Sequence, residues 1–110
     1  MMKKVNVLGT EYTVVESTVD KDASLEGRDG YCDTSIKKCV IDEMQDNDPF
    51  AKKNLPAYKK SVIRHELIHA FLYESGLDCC SYWTQEEEFV DWVALQFPKL
   101  LQAFKEADAL

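Results

Sequence analysis

The chain predicts an α+β fold, with a small N-terminal β-sheet followed by two helices. Two observations carry this expectation. Up to residue 42 the sequence sets β-branched and alternating apolar residues between turn formers; from Pro56 onward apolar residues recur at helical spacing instead. The length of 110 residues fits a single domain, 1–110, with a modest core.

Each element follows from its local pattern. "KVNVLGTEYTVVES" reads as a strand pair or one bent strand, broken at Gly9-Thr10. Residues 17–30 are polar and glycine-bearing, hence a loop with room for a short helical turn. Ile36, Val40 and Ile41 predict a strand over 36–42, paired with Tyr31–Asp33 through a turn at Thr34-Ser35. "QDNDPF", residues 45–50, is a break. Tyr58, Val62, Ile63, Leu67, Ala70, Phe71 and Leu72 then mark a helix over 56–75, with Pro56 in its first turn and Gly76 at its stop. "LDCCSYW" is a loop. Thr84 to Glu87 have the form of a capping box for a second helix, marked by Phe89, Val90, Val93, Phe97, Leu100, Leu101 and Phe104. Pro98 is expected to kink that helix or split it.

Composition excludes several function classes. Twenty acids against thirteen bases give a net charge of −7, which disfavours direct binding to nucleic acid or to an anionic membrane. Asn6, Gly9 and Glu11 interrupt the N-terminus before it can form the apolar run of a signal peptide. No stretch approaches the roughly 18 apolar residues of a membrane span. The expected location is cytoplasmic. Cys32, Cys39, Cys79 and Cys80 include no CxxC pair, so a structural zinc knuckle is not expected. Cys32 and Cys39 can come close across a hairpin and oxidise, but in a reducing cytosol ordinary thiols are the expectation.

Chemistry concentrates in "RHELIHAFLYESG", residues 64–76, which holds both histidines of the chain. Four helical residues turn by about 400°, so His65 and His69 face the same way, about 6 Å apart along the axis. Two imidazoles on adjacent turns can close on one metal ion, and Glu66 lies beside that ion rather than aimed at it. This is the HExxH arrangement, in which zinc activates a bound water and the glutamate takes its proton. A chance HExxH in a chain of this size arises about once in a few hundred sequences. The alternative is two polar residues that happen to share an amphipathic helix.

Two histidines hold zinc poorly, so a third donor is required. No third histidine exists, and position 75, where an extended motif would place one, is serine. The donor must be a carboxylate of the next helix, where "TQEEEF" offers Glu86, Glu87 and Glu88. Glu87 is favoured because Asp91, one turn later on the same face, could orient a ligating histidine. Glu87 is also the N3 position of the expected capping box; if it caps, Glu88 becomes the donor.

HELIH followed some eighteen residues later by ExxxD resembles the glutamate-zincin pattern. "IRHELIHAFLYESG" with "EEEFVDWVALQFPKL" is similar to small phage- and prophage-encoded metallopeptidase-like proteins related to the ImmA/IrrE type, and the N-terminal strand segments fit that type more weakly. The resemblance implies a minimal zincin-like fold, a sheet packed beside the metal helix. It implies one zinc ion on His65, His69 and a glutamate matching Glu87, with Glu66 as catalytic base. It also implies a polypeptide substrate, with DNA-binding repressors as the type cleaved or relieved by related proteins. No accompanying DNA-binding or sensor domain is expected in this chain.

Such enzymes hold substrate as an added strand on a sheet edge. "KKCVID", with Lys38, Cys39 and Val40, is the segment expected at that edge; the alternative is an interior strand. Tyr73, one turn beyond His69, is the first candidate for an oxyanion donor, with Tyr31 and Tyr82 as others. Trp83 and Trp92 read as packing anchors. The expected activity is zinc-dependent hydrolysis of a protein. A metal-stabilised, non-catalytic interaction module is the competing class, and a thiol role for Cys79-Cys80 is a third.

Overall fold

Leu8 and Gly9 both take positive φ, 50° and 93°, the requirement of a tight two-residue hairpin turn. Asn6 Oδ1 accepts the Gly9 N–H at 2.8 Å and closes that turn. It joins β1 (Met2–Val7) to β2 (Thr10–Ser17) as an antiparallel pair. The computed structural model describes residues 2–45 and 51–110, so most of the expected break at 45–50 lies outside the described residues. After β2 come a short 3-10 turn at Ala23–Leu25, β3 (Gly30–Asp33) and β4 (Lys38–Asp42). Two helices follow, α1 (Leu55–Glu74) and α2 (Glu87–Glu106), linked by 3-10 turns at Leu77–Cys79 and Tyr82–Gln85. The architecture is α+β, a four-stranded mixed sheet with two helices.

The strand order is β1-β2-β4-β3, and β4 pairs β2 in parallel and β3 antiparallel. This corrects the expectation that Lys38, Cys39 and Val40 form a free edge: they lie in an interior strand, and β3 takes the edge. The reason is burial on both faces. Consecutive Cys39, Val40 and Ile41 are all at most 2% exposed, a continuous apolar run that only a covered strand can carry.

Alternation divides that run between two faces. Cys39 and Ile41 join Val7, Tyr12 and Val14 in the core, which packs against Val62 and Ala70 of α1. Val40 faces the opposite side, where the 3-10 turn carrying fully buried Leu25 packs on β4. Helix α1 approaches β3 so closely that a Cβ at Gly30 would stand 3.0 Å from the Val40 carbonyl oxygen and 3.2 Å from Val62 Cγ1. Glycine at that position lets the metal-motif helix lie directly on the edge strand.

The ends of α1 follow the sequence. Asn54 Oδ1 accepts from the Ala57 N–H at 3.3 Å, Pro56 sits in the first turn, and left-handed Gly76 follows the last turn. Near its C-terminus, Glu74 ties the helix to the sheet. Its carboxylate accepts from Tyr12 Oη at 2.7 Å and Lys37 Nζ at 2.8 Å, and from Thr10 Oγ1 at 3.2 Å. Lys37 and Tyr12 hold the Glu74 carboxyl below the usual glutamate range.

Helix α2 departs from expectation at two points. The capping box does not form: Thr84 lies within a 3-10 turn, buried, with its hydroxyl donating to the Ser81 carbonyl at 2.7 Å. The helix begins at Glu87, which frees that side chain from an N3 capping role. Pro98 does not split the helix, which runs through it to Glu106. Proline has no N–H to give the carbonyl four residues back, Ala94. Arg64 of α1 fills that place, Nε donating to the Ala94 oxygen at 2.6 Å. Ala94 and Val90 are the buried residues of α2, so this bond sits where the two helices meet. No helix among the described residues is long and apolar enough to cross a membrane.

Two outcomes follow from these contacts. Arg64→Met should cost about 1–3 kcal/mol by urea denaturation, because it strands a buried carbonyl. In a Pro98→Ala background, where the helix supplies its own N–H, that cost should shrink; equal costs in both backgrounds would contradict the pairing. Glu74 has a lowered folded pKa, so its contribution is present above about 4.3 and lost as pH falls through the folded value. Glu74→Gln should therefore flatten the loss of stability in that acid window, read as Tm against pH.

Candidate metal centre

Helical periodicity alone brings His65 and His69 to one side of α1, with ring centroids 4.9 Å apart and Nε2 atoms 3.2 Å apart. The packing of α2 then sets Glu87 against both. Its carboxylate oxygens lie 2.7 Å from His65 Nε2 and 3.0 Å from His69 Nε2. One turn along α2, Asp91 Oδ1 meets His65 Nδ1 at 2.7 Å. The structure thus brings together His65, His69, Glu87 and Asp91, all four picked out in the sequence.

Glu88 does not join them. It lies with Glu86, Phe89 and Trp92 around a separate hollow on α2. Tyr73 is also outside the residues lining the clefts beside His65. Its ring lies 5.0 Å from the Lys37 ammonium, at the Glu74 end of α1. Tyr82 is almost fully exposed.

Proton counting constrains the cluster. A neutral imidazole carries one N–H, yet both ring nitrogens of His65 face carboxylate oxygens at 2.7 Å. His69 Nε2 meets both His65 Nε2 and Glu87. Two imidazole nitrogens and the two oxygens of the Glu87 carboxylate therefore crowd together, one oxygen on each ring, an arrangement that either a protonated imidazole or a bound cation would satisfy. The separations of 2.7, 3.0 and 3.2 Å compare with about 3.3–3.4 Å between ligands of a tetrahedral zinc at 2.0–2.1 Å. A few tenths of an ångström of opening would admit the ion. The donor set, two nitrogens and one oxygen, suits zinc.

Glu66 competes for the third position on proximity alone, since its carboxylate and the two histidines lie within 4.8 Å of one another. Glu87 fits better: its contacts to both rings are near 3 Å, and it comes from a second helix that can approach the ion from outside. Glu66 is 7% exposed, against a much more open Glu87. Burial pushes the Glu66 carboxyl up to about 7, opposed by His65 and the nearby Arg28 guanidinium. A carboxyl with that affinity can both take and return a proton near neutrality. Burial also moves the His69 imidazole below its ordinary value, favouring the neutral ring that a metal requires.

Two clefts meet at this cluster. One, about 550 Å³, is walled by Arg28, Tyr31, Cys32 and Gln85 beside His65, Glu66 and His69. The other, about 320 Å³, runs past Asp29, Tyr58 and Leu95. Arg28 was not singled out in the sequence, where an arginine in a polar loop carries no signal. Its guanidinium lies 5.9 Å from the Tyr31 ring, in the same cleft as Glu66. Tyr31 and Tyr58 donate to Asp22 and Asp29, which holds their hydroxyl hydrogens.

The chain matches no family model, no curated protein and no solved structure.

The geometry discriminates between the two glutamates. Glu87→Ala should lower zinc affinity at least about tenfold, while Glu88→Ala should leave it within twofold, by competition against a chromogenic chelator. Equal losses would remove Glu87 from the donor set.

Proposed function

We propose that this chain is a zinc-dependent metallopeptidase with a minimal zincin-like fold, acting on an extended segment of a protein. The observation that carries this reading is the convergence of His65 Nε2, His69 Nε2 and the Glu87 carboxylate beside a buried Glu66. One zinc ion, when bound there, supplies Lewis-acid polarisation of the scissile carbonyl.

The chain's own residues do the rest. Glu66 accepts a proton from the attacking water and delivers it to the leaving amine, the two-way role that its raised affinity suits. Asp91 accepts from His65 Nδ1, fixing the tautomer that leaves Nε2 free to ligate. Arg28 offers the cationic group closest in kind to an oxyanion partner, replacing the tyrosine expected from the sequence.

Substrate would lie along β3. In the β3–β4 pair, the Asp42 N–H to Asp29 oxygen bond at 2.8 Å sets the alternation, so Tyr31 and Asp33 exchange bonds with β4. Gly30 and Cys32 then turn their N–H and C=O groups to the free edge, and both residues line the metal cleft. An extended peptide added there would pass alongside His65 and His69. The cytoplasm remains the proposed compartment, and a DNA-binding repressor one substrate to test.

A non-catalytic interaction module is the second reading. It is favoured by the apolar outer surface of α2, where Trp92, Leu95 and Phe97 are each about half exposed. Glu66→Gln separates the two. Under the first reading the variant binds zinc equimolarly but loses about 10²–10⁴-fold in hydrolysis of a peptide library. A variant that cleaves as well as the parent sinks the peptidase assignment; unchanged partner capture by both, with no cleavage by either, supports the module.

A further inference from the structure

The edge strand beside the cleft carries a second reactive feature. Cys32 of β3 lies directly opposite Cys39 of β4, and both are free thiols. The same alternation that turns the Cys32 backbone outward makes Cys32 and Cys39 a non-hydrogen-bonded pair. In such pairs the Cα atoms stand about 4.5 Å apart, inside the window of about 4.4–6.8 Å that a disulfide spans. Their side chains leave the sheet on the same face, the one that packs on α1: Cys39 belongs to the core, and Cys32 packs against it.

We propose that Cys32 and Cys39 are a reversible cross-strand disulfide site, a covalent modification of the wall of the metal cleft. The chemistry follows from their unequal exposure. Cys32 is half-buried and lines the cleft, whereas Cys39 is fully buried. A peroxide therefore meets Cys32 first. The Cys32 thiolate attacks the peroxide O–O bond, giving a sulfenic acid and releasing the other oxygen as water once protonated. The Cys39 sulfur then attacks the sulfenic sulfur, the S–O bond breaks, and a second water leaves. Two thiols and one hydrogen peroxide become one disulfide and two waters. The contact with Cys32, together with burial, pushes the Cys39 thiol up, which leaves Cys32 as the thiol oxidised first.

The bond would join the edge strand to its neighbour across only six intervening residues, fixing the strand that borders the clefts. It withdraws the Cys32 sulfur as a free thiol from the space beside His65 and His69. Neither step requires a metal, so this site stands or falls separately from the peptidase reading.

The test uses the full chain with Cys79→Ser and Cys80→Ser, which removes the two exposed thiols. The folded, reduced protein is treated with stoichiometric hydrogen peroxide and digested without reduction. Trypsin cuts at Lys37 and Lys38, between the two cysteines, so a bond between them joins a peptide beginning at Asp29 to one beginning at Cys39. The expected result is an intact mass lower by two hydrogens, this linked pair of peptides, and reversal by dithiothreitol. The amides of Tyr31 and Asp33, which pair with β4, should exchange more slowly after oxidation. Retention of two thiols that N-ethylmaleimide still alkylates would overturn the proposal, as would cross-linking seen only in denaturant. Unchanged exchange across β3 would overturn its clamping role. Cys32→Ser, at the more exposed position, must abolish the linked peptides.

Discussion

The register of α2 against α1 is the constraint on which the site depends. His65 and His69 share a face because they share a helix, but nothing local places Glu87 and Asp91 over them. That placement comes from Val90 and Ala94 packing on α1, and from the Arg64 guanidinium bound to the Ala94 carbonyl. Pro98 creates the acceptor by lacking an N–H; Arg64, the residue before His65, supplies the donor. A slip of one residue along α2 would rotate Glu87 by about 100° away from the imidazoles. The same polar bond therefore compensates a helix defect and aligns a constellation.

Burial divides the carboxylates of the site into different roles. Glu66, Glu87 and Asp91 carry the same functional group within one cluster. Glu66 is largely buried at the floor of the clefts, and its affinity for a proton rises accordingly. Glu87 and Asp91 stay open to solvent and meet imidazole nitrogens. Position on the two helices, rather than residue type, separates the buried carboxyl from the two that meet imidazole nitrogens, and the proposed roles of proton carrier, metal donor and orienting group follow that division.

The edge strand shows how one backbone fact serves two chemistries. Alternation of hydrogen bonds along β3 turns the Gly30 and Cys32 backbone to the free edge. It also brings Cys32 to its closest approach to Cys39. Gly30 permits α1 to lie against this strand, so the motif helix, the free edge and the thiol pair occupy one small region.

The sequence by itself determined the α+β class, the helix limits near Pro56 and Gly76, and the pairing of the two imidazoles, because each depends on periodicity or on a cap within a few residues. It also singled out Glu87 and Asp91, the two acids of the second helix that the structure sets against His65. Tertiary structure decided the rest. That Lys38, Cys39 and Val40 are interior depends on β2 pairing β4 in parallel, a contact more than twenty residues apart in sequence. That Thr84 does not cap α2 depends on a 3-10 turn no spacing rule foretold, and Glu88 lines a hollow separate from the histidines. Arg28 reaches the cleft only because β3 carries its loop there. Local pattern fixes what a residue can do; which neighbours it meets is set by long-range packing.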